Sequence, residues 1–169
     1  MMQKELTKNK KLIIMLKGGL GNQLFAYSCA KRLALKCKAE LVIDDTSGFI
    51  NDKMYKRTYQ LKHFNIPHRV ANNNEKLIPF SRLRRKLIKI INIFLPYSSK
   101  FYIEQEFISY DDRIIKKKIY GTSYIEGYWQ SENYFFDIIE EIRSDLKIIS
   151  SIDKENELLA NKIKNTNSV

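Results

Sequence analysis

A glycine-rich turn near the start of the chain has the residue types and spacing that hold an anion or a sugar. It runs from Gly18 to Gln23, reads GGLGNQ, and lies between a short apolar run and a helix-like segment. Glycines allow positive φ angles and let a ligand approach the backbone closely. The first N–H groups of a helix are unpaired, and the helix dipole favours negative charge beside them. The turn could therefore bind a phosphate or a sugar hydroxyl, or could be only a tight connection.

Two nucleotide-binding motifs are the obvious comparisons for this turn. A dinucleotide site needs G-x-G-x-x-G and, about 20 residues later, an acidic residue. Gly19 and Gly21 supply two glycines and Asp44 or Asp45 could supply the acid, but Leu24 occupies the third glycine position. That glycine lets helix and strand pack closely, so a leucine there argues against NAD. A Walker phosphate loop fails because no Gly-Lys-Ser/Thr follows.

Few other residues offer the chemistry of a metal or redox site. The only histidines, His63 and His68, have no cysteine or acidic partners at metal-ligand spacing, so no zinc site is predicted. Cys29 and Cys37 lie about 12 Å apart along a helix, at a rise of ~1.5 Å per residue, which exceeds the reach of a disulfide. The only tryptophan, Trp129, could stack on a sugar ring or anchor the core.

The elements around the turn follow the order strand, glycine turn, helix, strand. Residues 12–16 form a continuous apolar run, which is typical of strands buried on both faces of a parallel sheet. A helix follows, with Asn22 as its predicted N-cap, and a second apolar run covers residues 39–43. This pattern is a βαβ unit with a right-handed crossover. We therefore predict an α/β fold with a Rossmann-like parallel sheet and flanking helices.

The rest of the chain alternates between irregular and regular segments. Residues 46–74 look irregular, and a basic amphipathic helix is predicted within 75–95, starting near Pro79. Further strands are predicted over 101–108 and 123–128. Two more helices are predicted, one capped by Ser131 and running from Glu132 to about Leu146, the other over 153–164.

The chain of 169 residues is strongly basic, with a formal net charge of +11. A nucleic acid, an anionic membrane, an anionic substrate or codon bias alone could explain this charge. The basic helix, residues 82–89, has aliphatic rather than aromatic residues between its charges, which argues against nucleic acid. We expect a cytoplasmic protein whose residues 82–89 are either a solvated face or a contact with the inner membrane.

Two longer runs indicate a family. Residues 16–27, LKGGLGNQLFAY, resemble the opening signature of the family 11 glycosyltransferases, the α-1,2-fucosyltransferases. Residues 124–135 resemble the GYWQSEKYF segment of the same family, with Asn133 where lysine is commoner. The resemblance covers about residues 12–150.

The resemblance implies the N-terminal half of a GT-B-type enzyme that needs no cofactor and no metal. Such an enzyme transfers L-fucose from GDP-fucose, with inversion, to the 2-hydroxyl of a galactose-terminated glycan. It also implies that Asn22 faces the reaction centre as the catalytic residue. The implied donor-binding residues are Gly18, Gly19, Leu20, Gly21 and Gln23. The expected acceptor-binding residues are Glu126, Trp129 and Gln130, although Glu126 and Gln130 could merely end a strand.

A second family signature is absent from these residues. The family's His-x-Arg-Arg-Gly-Asp run binds the GDP end of the donor, and the only double arginine here, Arg84-Arg85, has no histidine before it. Losing one preorganised contact of that kind typically costs ~3–4 kcal/mol. We therefore expect a polar leader over 1–11, a glycosyltransferase domain over 12–150, and residues 151–169 leading toward a C-terminal GDP-binding domain. By itself this chain is expected to be inactive as a transferase; the alternative is a basic docking module without catalysis.

Overall fold

The computed structural model describes residues 10–76, 81–105 and 109–166. Most of the predicted leader, the helix start at Pro79, the end of the strand predicted over 101–108 and the last three residues lie outside these ranges. Within them, the regular elements follow in this order: β1 (Lys11–Met15), α1 (Leu20–Cys37), β2 (Glu40–Asp44), β3 (Arg69–Val70), α2 (Ser81–Ile93), β4 (Tyr102–Glu104), α3 (Arg113–Lys116), β5 (Thr122–Glu126), α4 (Ile139–Asp145) and α5 (Lys154–Lys164).

The five strands form one parallel sheet in the order β3-β2-β1-β5-β4. This confirms the predicted α/β fold with a Rossmann-like parallel sheet. In the register of the central strands, Met15 pairs with Asp44 of β2 on one side and with Glu126 of β5 on the other. The carboxyl ends of β1, β2 and β5 therefore meet at one edge of the sheet.

Two cores lie on the two faces of the sheet, because successive residues of a strand point to opposite sides. Leu12 and Ile14 belong to the larger core, which includes the buried side of α1. Ile13 and Met15 belong to a smaller core, against which Ile88 of α2 packs. The layers are thus helix, sheet, helix, and the loops after the strands are left at the carboxyl edge.

That edge contains the point where the strand order reverses. The chain runs from β1 outward to β2 on one side, and β5 lies on the other side of β1. Ligands of open α/β sheets bind in the crevice at such a switch point, outside the carboxyl ends of the strands. The glycine turn follows β1, and residues 127–130 follow β5.

Several local predictions are wrong. Asn22 is not the N-cap of α1: the helix begins at Leu20, and Gly19 is the cap, with an extended backbone. The single helix predicted from Glu132 is instead two turns of 3₁₀-helix followed by α4. The backbone breaks at Phe135, at φ −147° and ψ 12°, and the Phe135 ring packs on Phe25 with 6.0 Å between centroids. The short strand β3 lies in a region predicted to be irregular.

Candidate functional site

The glycine turn lies at the surface of the described chain. Gly18 is buried and has a positive φ of 78°, whereas Leu20 and Gly21 are exposed. A Cβ atom added to Gly19 or Gly21 would meet no atom within 4 Å, so neither glycine is required for packing. The backbone from Gly19 to Gly21 is therefore open to a ligand, as binding at this turn requires.

The first turn of α1 presents amide groups at this open backbone. The earliest helical hydrogen bond is donated by the Gln23 amide to the Gly19 carbonyl, at 3.1 Å. The amides of Leu20, Gly21 and Asn22 precede that bond, and the first turn contains no acidic residue. Because the N-terminus of an 18-residue helix carries partial positive charge, these three amides can donate hydrogen bonds to an anionic or hydroxyl ligand.

The segment after β5 lies directly beside the turn. The Gln130 side chain donates through Nε2 to Asn22 Oδ1, at 2.6 Å. A Cβ on Gly18 would be 3.1 Å from Cε1 of Tyr128, and the Lys17 ammonium is 5.2 Å from the centroid of that ring. The two segments that carry the family resemblance therefore form one continuous surface at the switch point.

Glu126 lies beneath this surface rather than on it. Its carboxylate is 5% exposed and accepts hydrogen bonds from Lys17, at 3.2 Å, and from the Tyr102 hydroxyl. This arrangement ties the ends of β1, β4 and β5 together. It gives no direct support to acceptor binding by Glu126, which stays a prediction.

Gln23 is fully buried and is bonded to backbone on both sides of its amide. Its Nε2 group donates to the carbonyls of Gly18 and Thr58, both at 3.0 Å. Its Oε1 atom accepts from the amide of Gln60, at 2.9 Å. In this geometry Gln23 fixes the turn against residues 58–60, and contact between its side chain and the donor stays a prediction without structural support.

Trp129 is a packing residue in this structure. The indole is fully buried and packs edge-on against Tyr134, with 5.6 Å between ring centroids. No ring face is exposed for stacking on a sugar, so the geometry gives the acceptor role of Trp129 no support. The left-handed backbone of Trp129, with φ of 52°, places Gln130 toward Asn22.

Gln105 shapes the turn of residues 127–130 after β5, a role that was not predicted from the sequence. Its Oε1 atom accepts from the amides of Tyr128 and Trp129, at 2.8 and 2.9 Å. A Cβ on Gly127 would come within 2.5 Å of Gln105 Cβ, so only glycine fits there. No signal in the sequence indicated this role, because Gln105 lies inside the strand predicted over 101–108, whereas β4 ends at Glu104.

The acidic residues after β2 have structural partners. Asp44 is buried and accepts from the Tyr124 hydroxyl, at 2.7 Å, and from the amides of Thr46 and Ser47. Asp45 pairs with the Lys76 ammonium at 2.7 Å. These contacts stabilise the loop after β2.

The histidines also have partners within the chain. The Tyr59 hydroxyl lies 2.8 Å from His68 Nε2, and burial raises the pKa of Tyr59 to about 12. His63 Nδ1 lies 2.7 Å from the Ser150 hydroxyl. Over residues 10–76, 81–105 and 109–166, no three histidine, cysteine or acidic side chains are grouped so as to hold a metal ion.

One curated relative is similar to this chain in sequence. An alpha-1,2-colitosyltransferase from Escherichia coli is 26% identical to this chain over 160 residues. The alignment covers 94% of this chain and 52% of the relative, so the chain spans about half the length of the curated relative it matches. No family model and no solved structure matches the chain. In sequence, this chain is thus related to a glycosyltransferase.

Proposed function

We propose that this chain forms the sugar-facing wall of a glycosyltransferase that transfers L-fucose from GDP-fucose to the 2-hydroxyl of a galactoside. The proposed transfer inverts the anomeric centre and requires no metal. One observation carries the proposal: the open amides of α1 lie at the switch point of the sheet, joined by Asn22 and Gln130 to the segment after β5. The α-1,2 linkage in the name of the relative supports the choice of the 2-hydroxyl.

The chemistry of transfer needs a positive wall at this place. When GDP leaves, negative charge grows on the diphosphate while the sugar becomes oxocarbenium-like, and fixed donors stabilise that charge best. The amides of Leu20, Gly21 and Asn22 are such donors, at the positive end of the helix dipole. Because Asn22 Oδ1 accepts from Gln130, the Asn22 Nδ2 group is left to donate to a substrate oxygen.

The main grip on GDP is proposed to come from residues outside this sequence. Arginine is the side chain whose forked donors suit a diphosphate, and the family's arginine-rich run is absent from the 169 residues. The open amides alone provide no such clamp. We therefore expect this chain to contact the fucosyl group and the nearest phosphate, and to bind GDP alone weakly.

The preference for L-fucose over another deoxy sugar can be tested by comparing the binding of two donors. Colitose is L-fucose without its 3-hydroxyl group, so both donors present the same methyl group and the same diphosphate. If a protein group hydrogen-bonds the 3-hydroxyl, GDP-fucose binds more tightly than GDP-colitose, because a site built for a hydroxyl disfavours the analogue without it. Equal binding of the two donors would be compatible with a glycosyltransferase site here but would contradict the preference for fucose.

The test uses saturation-transfer NMR on the purified chain with GDP-fucose and the variant Gly21→Ala. Alanine is a better helix former than glycine by about 0.8–1.0 kcal/mol, so the variant should be at least as stable as the parent. A methyl group on the open backbone should nevertheless reduce saturation of the fucosyl protons by about threefold or more, by blocking the approach of the ligand.

Gly121→Ala is the matched control, since a Cβ there also meets no atom within 4 Å. Gly121 precedes β5 and therefore lies at the opposite edge of the sheet. The Gly121→Ala variant should leave the saturation of the fucosyl protons unchanged. The proposal fails if the guanine protons are saturated more than the fucosyl protons, or if Gly21→Ala and Gly121→Ala behave alike. Micromolar binding of GDP alone in calorimetry would contradict the proposed division between the two halves.

A further inference from the structure

Helix α2 turns an apolar stripe toward the solvent. The stripe consists of Leu83, Leu87 and Ile90, and Phe94 continues it just after the helix ends. These four side chains are between 48% and 83% exposed. Their spacing of four, three and four residues places them on one side of the helix. An exposed stripe of this kind marks an interaction surface rather than ordinary surface.

The opposite side of the same helix holds it to the sheet. Ile88 packs against the smaller core, and Asn92 is buried, with its Nδ2 group donating to the Tyr102 carbonyl at 2.6 Å. At about 100° per residue, Ile88 and Asn92 lie on the far side of the helix from the stripe. Rolling the helix to bury the stripe would therefore break this anchor.

Positive charge flanks the stripe on both sides. On a helical projection at about 100° per residue, Arg84 lies on one side of the stripe and Lys86 on the other. Both side chains are exposed. Lys89 lies further round and pairs with Glu104 of β4. The helix sequence, SRLRRKLIKIINI, contains no acidic residue.

The apolar stripe and its flanking positive charges together indicate which kind of surface covers the stripe. A second copy of the chain would bring two helices of like charge together, which costs energy. A nucleic acid would use the basic residues but would leave the aliphatic stripe in water. An anionic bilayer satisfies both features, because acyl chains accept the stripe while lipid phosphates attract the flanking cations.

We propose that α2 is a membrane-docking helix that lies in the headgroup region of an anionic bilayer. Leu83, Leu87, Ile90 and Phe94 enter the acyl boundary, and Arg84 and Lys86 lie at the lipid phosphates. The attachment is peripheral. In the part of the chain that the structure describes, no helix is long and apolar enough to cross a membrane. This inference does not rest on the proposed transferase function.

The test is cosedimentation of the full chain with vesicles of phosphatidylcholine, with and without about one third phosphatidylglycerol. The chain should sediment with the anionic vesicles and not with the neutral ones, and added salt should weaken the binding because it screens surface charge. Replacing Leu87 and Ile90 by glutamine should weaken binding about tenfold or more, since each apolar side chain loses its transfer energy. Replacing Arg84 and Lys86 by glutamine should have a similar effect, at ~1 kcal/mol per charge.

Helix α5 supplies matched controls, because it too exposes apolar and basic side chains. Leu158 and Leu159 are exposed, as are Lys162 and Lys164, but this helix also contains Glu155 and Glu157. Replacing Leu158 and Leu159 by glutamine, or Lys162 and Lys164 by glutamine, should change vesicle binding less than twofold. Equal losses from the α2 and α5 variants, equal binding to neutral vesicles, or no binding would overturn the proposal. So would sedimentation equilibrium showing a dimer that Leu87→Gln with Ile90→Gln dissociates, since the stripe would then be covered by a second copy.

Discussion

Asn22 and Gln130 are 108 residues apart in the chain, yet their side-chain amides are joined by a hydrogen bond of 2.6 Å. The bond links the first turn of α1 to the loop after β5 across the switch point of the sheet. It makes one surface from the glycine turn and the segment after β5, the two segments on which the family prediction rests. The contact is possible because β1 and β5 are neighbours in the parallel sheet, so that the segments after them meet at the same edge.

A double-mutant cycle should detect this link in the free energy of unfolding. We expect Asn22→Ala and Gln130→Ala to show a coupling of about 0.5–1 kcal/mol, at the low end for a hydrogen bond because the pair is solvent-exposed. Urea unfolding of the parent, both single variants and the double variant gives the value. Asn22→Ala combined with Gln60→Ala, whose side chain bonds to Thr58 instead, should show no coupling.

The framework of the site was predictable from the sequence, because its signals are local. The apolar run of β1, the glycine turn and the helical spacing of α1 specify a βαβ unit without any distant contact. The roles of Gln23 and Gln105 were not predictable in the same way. Each is defined by backbone groups of residues far along the chain, and a glutamine after a strand or in a first helical turn has no pattern that reveals such partners.

The predicted N-cap at Asn22 failed for a similar reason. Asparagine is a good cap by local chemistry, since its side chain can bond the amides of the next helical turn. In the folded chain that oxygen instead accepts from Gln130, and the helix starts three residues earlier than predicted, at Leu20 with Gly19 as its cap. A tertiary hydrogen bond to Gln130 thus replaces the predicted local cap at Asn22, which is a proposed substrate-binding residue.

Gln23→Leu should destabilise the fold strongly although leucine is of similar size. The substitution leaves the carbonyls of Gly18 and Thr58 and the amide of Gln60 without their buried partner. Unsatisfied buried polar groups cost about 1–3 kcal/mol each, so we expect a total loss of roughly 2–5 kcal/mol after relaxation and water entry. Urea unfolding measures it. Gln60→Ala, which removes a partly exposed side chain and its hydrogen bond to the Thr58 hydroxyl, should cost about 1 kcal/mol or less. Equal costs for the two variants would contradict the role of Gln23.

Gly48→Ala should destabilise the loop after β2 through a backbone clash. A Cβ there would lie 2.1 Å from the Leu16 carbonyl oxygen and 2.8 Å from Lys17 Cβ, immediately before the glycine turn. Because backbone cannot rotate away as a side chain can, we expect a loss of about 2–4 kcal/mol in thermal or urea unfolding. Gly19→Ala, in open space, is the comparison and should change stability far less. A harmless Gly48→Ala would show that the approach of this loop to the turn is looser than described.

Lys117 gives the fold a pH dependence in the alkaline range. Its side chain is 1% exposed, and its ammonium donates to the carbonyls of Ser98 and Lys118, at 3.2 and 3.1 Å. Among the residues that the structure describes, no carboxylate pairs with it. Burial lowers the pKa of Lys117 from its usual value of 10.5 to about 8. Between these two values the unfolded chain holds the proton that the folded chain has lost, so stability contributed by this group rises with pH.

Lys117→Met keeps an unbranched side chain of similar length and removes the titrating charge. The difference in unfolding free energy between variant and parent should favour the variant by roughly 1–3 kcal/mol at neutral pH, from the size of the pKa shift. That difference should shrink as the pH rises from about 8 toward 10.5, because the parent sheds its buried charge over that range. Lys118→Met, at an exposed neighbour, should give a flat difference curve. A Lys117→Met curve that is equally flat would mean that the buried ammonium titrates as it does in water, and that the carbonyls around it compensate fully for its lost hydration.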